Sequence, residues 1–194
     1  MSPATWRSPL SAALHRNRAQ PESRYFQLAT VTPEGRPQNR TVVFRGFSEP
    51  TNQLKIITDD RSEKIAQIEH HPWGEICWYF TQTREQFRLS GKLTIVDQNY
   101  PDATLQQERQ QTWQSLSDAA RLQFAWPHPA QPRTEEKEVF SPPPPDVNKP
   151  LPNFCLLLFN PETVDHLELR GNPQNRWQHR QDESKTWFVE AVNP

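Results

Sequence analysis

The alternation of apolar and polar residues along the chain predicts a protein that is mostly β-sheet. Apolar and alternating segments of strand length recur between clusters of turn residues, which is typical of half-buried strands. The predicted strands cover residues 24–32, 42–44, 54–58, 75–80, 84–97, 153–159, 164–170, 176–181 and 186–192. The order of these segments favours a mostly antiparallel β-barrel.

Three stretches have helical spacing instead. Ser8-Pro9 predicts the start of a helix within residues 1–20, because Ser is a good N-cap and Pro fits the first turn. Residues 62–70 predict a second helix. Residues 102–124 predict a third, broken near Ser117, which can cap its second piece. These helices are expected to flank the barrel.

Length and composition are those of one globular domain. With 194 residues, the chain is expected to fold as a single domain over 1–194, in which 141–152 is an extended proline-rich connection. The formal net charge of −1 gives no reason to expect nucleic acid or an anionic membrane as partner. The longest apolar run, 154–159, is too short to span a bilayer, and the N-terminus lacks a signal-peptide pattern. A soluble, cytoplasmic protein is expected.

The cysteine and histidine positions indicate neither a disulfide nor a metal site. Cys77 and Cys155 lie in apolar runs without a CxxC or zinc-type neighbour, so we expect buried free thiols in a reducing compartment. His70 and His71 end a predicted helix without a partner at metal-ligand spacing. No metal is therefore predicted.

The stretch from residue 39 to residue 67 carries the candidate binding chemistry. Its cations, Arg40, Arg45, Arg61 and Lys64, lie where a strand and a helix N-terminus can converge. Arg forks, a Lys charge and helix N–H groups are the donors that phosphate uses, so a phosphorylated ligand is expected. The odd spacing of Arg40 and Arg45 puts them on opposite faces of a regular strand, so a bulge or an edgewise ligand is required.

An ordinary capped helix is the alternative interpretation of the same residues. Asp60 and Glu63 have capping-box spacing, and surface Arg and Lys side chains are usually solvated. Asp59, Asp60 and Glu63 also oppose an anion. The spacing alone leaves both interpretations open.

Several short motifs then occur in a distinctive order. They are Arg40-Thr-Val-Val-Phe-Arg45, Ile57-Thr58, Ser62-Glu63-Lys64, Gln86 five residues before Gly91, Arg176, and Trp187 with the final Pro194. Across residues 20–194 this order resembles the FMN-binding split-barrel proteins of the pyridoxamine 5'-phosphate oxidase family. The resemblance implies an antiparallel split β-barrel with flanking helices, and a homodimer with FMN at its interface.

The resemblance also assigns residues to the FMN cofactor. The implied cofactor-binding residues are Arg40, Thr41, Val42, Val43, Arg45, Ile57, Thr58, Arg61, Ser62, Lys64, Gln86 and Arg176. Arg40, Ser62 and Lys64 are expected at the phosphate. Thr58 and Gln86 are expected at the ring. Arg61 is expected to compensate for Glu63, which replaces a basic residue of the family. The flavin would carry hydride or electrons, so no acid or base is assigned to the protein.

The substrate is not identified by these motifs. Where family members that oxidise pyridoxine phosphate have Arg-x-His, this chain has Asn172-Pro173-Gln174-Asn175. Trp113, Ser117 and Arg121 stand near the family's Tyr, Arg and Ser. Substrate contacts are assigned to Arg45, Trp113 and Arg121. For Trp113 and Trp126 the alternatives are stacking on a ligand and core packing, and core packing is the commoner use of Trp.

The predicted function is that of an FMN-dependent oxidoreductase acting on an unidentified small molecule. One alternative is a flavin-binding or haem-binding module without turnover. Another is a genuine pyridoxamine 5'-phosphate oxidase. A third is a protein-interaction role for the four prolines at 142–145, for which an ordered loop covering the barrel is the simpler explanation.

Overall fold

The computed structural model describes residues 4–194 as one antiparallel sheet flanked by helices, which confirms the predicted fold class. The strands are β1 (Tyr25–Val31), β2 (Pro37–Val43), β3 (Phe47–Ser48), β4 (Gln53–Asp59), β5 (Trp73–Phe80), β6 (Glu85–Val96), β7 (Phe154–Glu168), β8 (Asn175–Gln181) and β9 (Trp187–Val192). The α-helices are α1 (Arg7–Arg16), α2 (Glu63–His70), α3 (Ala103–Gln114) and α4 (Asp118–Leu122). Short 3-10 turns occupy Pro21–Arg24, Gln123–Ala125 and Lys137–Phe140.

The barrel closes where the chain leaves β2 and enters β3. The strand order is β2-β1-β5-β6-β7-β4-β3, so its two ends are consecutive in the chain. The Phe44 N–H donates to Arg24 O beside β1, and the next N–H, of Arg45, donates to Lys55 O on β4. Gly46, at φ +108°, then accepts from the Lys55 N–H. Within three residues the chain therefore changes its hydrogen-bond partner from the start of β1 to β4, and the positive φ of Gly46 permits the turn.

A single long strand, β7, replaces the two strands predicted at 153–159 and 164–170. Its first part pairs with β4, its last part pairs with β8, and β6 runs beside it throughout. Asn160-Pro161 resembles a strand break in the sequence. The missing Pro161 N–H falls where the register shifts beside Gly91, and a Cβ on Gly91 would lie 2.1 Å from Asn160 O. The close backbone approach at this bulge lets β7 continue.

The interior of the barrel is filled by alternate residues of its strands. On β1, Phe26 and Leu28 are fully buried between half-buried neighbours. Trp78 packs against Phe26 with ring centroids 4.9 Å apart. Trp6, just before α1, is also fully buried and contacts Trp187 of β9 at 6.0 Å. The N-terminal helix therefore closes one side of the core. A separate cluster of Trp113, Leu116, Phe124 and Phe154 joins α3 and α4 to the sheet.

The helix starts agree with the sequence in some places and not in others. Ser117 is the N-cap of α4 and accepts the Ala120 N–H, as predicted. The Ser8 prediction is wrong, because α1 begins at Arg7 and its N-cap is Trp6, without a side-chain hydrogen bond. Burial of the Trp6 ring therefore outweighs local capping preference at this helix.

Both cysteines are free thiols, as expected. Cys155 is buried, and this burial raises the pKa of its thiol to about 12. Cys77 is only half-buried. Within residues 4–194, none of the helices has the length and apolar character that crossing a membrane demands.

Candidate functional site

A cleft of about 750 Å³ lies between β2, β4, the start of α2 and the loop that follows α4. Its size is in the usual range for small-molecule sites. Ten of the twelve predicted cofactor-binding residues line it: Arg40, Thr41, Val42, Val43, Arg45, Ile57, Thr58, Arg61, Ser62 and Lys64. The structure thus brings together residues that the sequence places on two strands and one helix.

Lys64 contributes a half-buried positive charge to the cleft. Its Nζ donates to Thr58 Oγ1 at 2.9 Å and to Ser62 Oγ at 2.8 Å. Within residues 4–194, no carboxylate oxygen lies within 4.0 Å of this amine. Burial, together with the neighbouring charge of Arg40, lowers the pKa of Lys64 to about 8. Two neutral hydroxyl groups do not offset the charge, so an anion is favoured here.

Arg40 is the second uncompensated cation. One guanidinium nitrogen donates to Leu28 O at 3.2 Å and to Thr30 Oγ1, and the other donates to Gln67 Oε1 at 3.1 Å. Burial lowers the pKa of Arg40, while the charge of Glu63 acts in the opposite direction. In the described part of the chain, Arg40 also makes no ion pair with a carboxylate. These neutral partners thus orient the guanidinium group of Arg40 without cancelling its charge.

The sequence analysis missed Thr30 and Gln67, the residues that hold Arg40 in place. Thr30 is 1% exposed on the inward face of β1, and Gln67 is 4% exposed on the buried side of α2. Gln67 Nε2 also donates to Gln38 Oε1. The sequence did contain a signal for both residues, because each is a polar residue at a position where the local pattern predicts a buried apolar one. Polar residues are normally buried only with hydrogen-bond partners.

The start of α2 faces the same cleft. Its N-cap is Ser62, whose side chain makes no capping hydrogen bond and instead contacts Lys64 and Thr58. The alternative of an Asp60–Glu63 capping box is therefore wrong. First-turn N–H groups of a helix have no intrahelical acceptor, and the dipole adds positive potential there. A cation at this end is unfavourable unless an anion accompanies it.

Arg61 lines the cleft, but its charge is already compensated. Its guanidinium forms a two-pronged pair with Asp59, with contacts of 2.8 and 2.6 Å, and donates to the carbonyls of Phe124 and Trp126. Burial alone would raise the pKa of Asp59, but the hydrogen bonds from Arg61 and Asn153 outweigh it and the pKa is lowered. In this structure Arg61 anchors the loop after α4, and its role in compensating for Glu63 at a phosphate stays a prediction.

Arg45 reaches the cleft because β2 ends before it. The strand stops at Val43, and residues 44–46 change their hydrogen-bond partners from the start of β1 to β4. Arg45 is therefore not part of the regular strand that carries Arg40, and the odd spacing does not force the two side chains onto opposite faces. Arg45 Nε is buried and has no hydrogen-bond partner within residues 4–194. Burial lowers its pKa, and the nearby charge of Arg24 adds to that effect. An unpaired buried donor of this kind favours binding an acceptor from a ligand.

The remaining walls are mostly apolar. Val42, Val43 and Ile57 line one side, and the proline-rich loop 126–134 lines the other. Trp126 in that loop is 37% exposed and packs edge-to-face on Phe140. The cleft therefore combines a cationic end with flat apolar walls, which suits an aromatic ligand that carries an anionic group.

Trp113 and Arg121, which the sequence analysis assigns to the substrate, are not among the residues that line the cleft. Trp113 is fully buried in the helix cluster and donates its Nε1–H to Asp146 O at 2.9 Å. Arg121 donates to the carbonyls of Trp113, Gln114 and Leu116 at the end of α3. Both side chains hold α3 and α4 in place. Core packing was the commoner expectation for a Trp, and the structure agrees with it.

Gln86 and Arg176 also lie outside the cleft of their own chain. Gln86 on β6 is paired with Leu167 on β7, and Leu167 is paired with Arg176 on β8. The two predicted cofactor residues therefore occupy one row across the outer face of the sheet. Arg176 forms an ion pair there with Asp165 at 2.8 Å. Nothing within one chain brings this row to the cationic cleft.

Comparison with known proteins identifies similar sequences and folds. The family model described as "Pyridoxamine 5'-phosphate oxidase, FMN-binding domain" matches residues 3–97. The Arabidopsis thaliana protein "Pyridoxine/pyridoxamine 5'-phosphate oxidase 2" is 40% identical over 193 residues, which is 98% of each chain. A "pyridoxamine 5'-phosphate oxidase-related, FMN binding protein" from Nostoc punctiforme PCC 73102 has a crystal structure with a TM-score of 0.97, at 58% identity and full coverage of both chains. PhzG from Burkholderia lata 383, with TM-score 0.80, 16% identity and coverage of 99% and 94%, shares the fold.

Replacement of Lys64 by Met should change how stability depends on pH in the absence of an anionic ligand. The folded-state pKa of about 8 lies below the usual 10.5, so the buried charge destabilises the fold fully below about pH 8. This penalty disappears as the pH rises towards 10.5. The wild type should therefore gain stability relative to Lys64→Met, on the order of 2 kcal/mol, in urea unfolding between about pH 7 and about pH 10 in phosphate-free buffer.

Lys64→Arg is the matched control for this measurement. Arg stays protonated across the range, so this variant should show no comparable gain relative to Lys64→Met. Parallel pH curves for the wild type and Lys64→Met would show that the amine does not carry an uncompensated buried charge.

Proposed function

This chain belongs to the pyridoxamine 5'-phosphate oxidase-like family of FMN-binding split-barrel proteins, and on that premise we propose that it binds FMN in the cationic cleft and acts as an oxidoreductase on a small molecule. The observation that carries the proposal is the pair of cations, Arg40 and Lys64, which share one cleft and have no carboxylate in contact among the residues that the structure describes. A phosphate ester is the part of FMN that such a pair selects.

The phosphate end of the proposed site is supported by three kinds of donor. Arg40 offers a fork held in a fixed orientation, and Lys64 offers a point charge. The start of α2 adds the Ser62 hydroxyl and the open N–H groups of the first turn. Each charge-assisted hydrogen bond contributes roughly 1.5–3 kcal/mol net. Three or four of them, towards the upper end of that range, reach the roughly 8 kcal/mol of micromolar binding before the ring makes any contact.

The ring end of the proposed site is supported by the walls of the cleft. Thr41, Val42, Val43, Ile57, Thr58 and Trp126 are among the residues that line it. When bound, FMN supplies hydride or electron transfer, which no protein side chain supplies. The residues of this chain would orient the flavin, bond its polar edge and exclude water from the face that meets the substrate.

A second copy of the chain would complete the site. Gln86 and Arg176, which the family resemblance assigns to the cofactor, lie in a row on the outer face of the sheet and away from the cleft. A homodimer in which this row faces the cleft of the partner would reconcile their position with that role. The exposed ring of Tyr79, cross-strand neighbour of Gln86, is 41% exposed and offers apolar area for the same contact.

Arg45 is the cation in the cleft best placed to contact a substrate. Its Nε is buried without a partner, and the phosphate donors Arg40 and Lys64 do not depend on it. The segment Asn172–Asn175 offers amides where the family's pyridoxine-phosphate oxidases have Arg-x-His. We therefore propose a substrate other than pyridoxine phosphate.

A genuine pyridoxamine 5'-phosphate oxidase is the second candidate. The name of the Arabidopsis relative, which aligns over 98% of this chain, favours it. The lack of charge in Asn172–Asn175 argues against it. A flavin-binding module without turnover is the remaining rival.

The double variant Arg40→Ala/Lys64→Ala should lose FMN during purification while remaining folded. Removing two charge-assisted contacts should raise the Kd at least 100-fold, as measured by fluorescence titration of the apoprotein. The matched control is Arg36→Ala/Lys149→Ala, which removes equal charge from exposed positions and should bind FMN like the wild type. A fully yellow Arg40→Ala/Lys64→Ala protein would show that the phosphate lies elsewhere.

Turnover separates the enzyme from the rival without catalysis. We expect the bound flavin to bleach anaerobically with a donor such as NAD(P)H and to recover its colour when oxygen is admitted. A flavin that stays oxidised with nicotinamide and amine donors alike would contradict the oxidoreductase proposal and leave FMN binding intact. Efficient conversion of pyridoxamine phosphate to the aldehyde would favour the second candidate over an unidentified substrate.

A further inference from the structure

A second cavity, of about 330 Å³, lies between α1 and the face of the sheet opposite to Gln86 and Arg176. Its polar lining consists mainly of Arg16, Glu85, His166, Glu168 and His179. It shares no lining residue with the cationic cleft. Neither FMN binding nor turnover uses these side chains, so their burial requires a separate explanation.

We propose that this cavity binds one divalent transition-metal ion through Glu85, His166 and Glu168. One carboxylate oxygen from each Glu and one imidazole nitrogen lie within 4.8 Å of one another. Metal–ligand bonds of about 2.0–2.2 Å bring donors somewhat closer than that, so small side-chain rotations are enough. One His and two carboxylates suit ions such as Zn²⁺, Mn²⁺ or Fe²⁺ better than ions that prefer oxygen or sulfur alone.

Strand register brings the three ligands together. Glu85 on β6 is the cross-strand partner of Glu168 on β7, and Phe87 is the partner of His166. Residues two apart on a strand share a face, so both carboxylates and the imidazole project to the same side of the sheet. The cluster is therefore built into the regular part of the barrel and does not depend on a loop.

The ligands are held in place before any metal arrives. Glu85 is 3% exposed and His166 is 4% exposed. The His166 ring stacks on Phe87 with centroids 4.0 Å apart, and its Nε2 lies 3.1 Å from Glu85 Oε2. Asn175 Nδ2 donates to Glu168 at 3.2 Å. Ordered rings and outer hydrogen bonds of this kind are what orient metal ligands in proteins.

A second histidine that lines the cavity, His179, is an independent observation that favours a ligand here. It is 3% exposed, and its Nδ1 lies 3.0 Å from Thr5 Oγ1. Its Nε2 is buried and has no hydrogen-bond partner in the part of the chain that the structure describes. A buried nitrogen of this kind is costly. In the tautomer that donates from Nδ1, the Nε2 lone pair is free for a metal or for a water bound to one.

Arg16 competes with the metal for Glu85. Its Nη2 lies 2.6 Å from Glu85 Oε1, but its side chain is 49% exposed and its guanidinium can move into solvent. A divalent ion would replace the charge of Arg16 at this carboxylate. It would also take the place of the hydrogen bond between His166 and Glu85, so that each side chain becomes a ligand.

Titration of the metal-stripped full chain with Zn²⁺ tests the proposal. One ion should bind per chain, both with and without FMN, when followed by calorimetry and by native mass spectrometry. Glu168→Gln keeps the shape of a half-buried side chain and should weaken binding at least tenfold, as should His166→Gln. Arg16→Ala should tighten binding, because it removes the competing cation.

Controls identify adventitious zinc. Glu183→Gln and His71→Gln make the same chemical changes at exposed positions and should bind like the wild type. The proposal is overturned if the wild type binds no stoichiometric Zn²⁺, or if Glu168→Gln binds it as tightly as the wild type. Unchanged or weaker binding by Arg16→Ala would also contradict it. Circular dichroism of each variant checks that the fold is retained.

Discussion

Two half-buried cations that have no carboxylate in contact within residues 4–194 are the constraint on which the functional architecture depends. Lys64 and Arg40 are held beside each other by hydroxyl, amide and carbonyl groups, and burial lowers the pKa of each. Such an arrangement costs stability unless a ligand supplies negative charge. The chain maintains it with dedicated neutral partners, Thr30 and Gln67. A binding site explains this arrangement better than a stability role does.

The closure of the barrel is what assembles this site. The segment after β2 makes its last hydrogen bond beside β1 at Phe44 and its first hydrogen bond to β4 at Arg45. As a result, β2 and β4 meet where α2 begins. Arg45 then joins Arg40 on the same cleft although their spacing is odd. The pair between Arg61 and Asp59 anchors the proline-rich loop as the opposite wall. Barrel topology and binding chemistry therefore share the same few residues.

Local sequence signals predicted much of this architecture. Alternating strands identified the barrel, Ser117 identified the start of α4, and the cluster of cations identified the residues of the cleft. These features depend on near neighbours in the chain, whose geometry is set by strand and helix periods. The continuity of β7 could not be predicted, because it depends on a bulge at Glu162 that forms opposite Ser90 and Gly91 of a different strand.

Partner choice was the part that spacing did not determine. The sequence position of Arg61 suggests a phosphate ligand, whereas in the structure its guanidinium donates to both carboxylate oxygens of Asp59. The sequence position of Arg121 suggests a substrate contact, whereas in the structure its guanidinium donates to backbone carbonyls at the end of α3. The metal cluster shows the same limit, because Glu85 and His166 are 81 residues apart and meet only through the pairing of β6 with β7. Charged side chains have long reach, so tertiary contacts decide their role.

The affinity of the apoprotein for FMN relative to riboflavin tests the central claim most directly, because the two ligands differ only by the phosphate. If Arg40 and Lys64 hold that phosphate, FMN should bind at least 100-fold more tightly than riboflavin at neutral pH and low salt. Equal affinities for the two flavins would contradict the account, since the paired cations would then have no part in binding the cofactor.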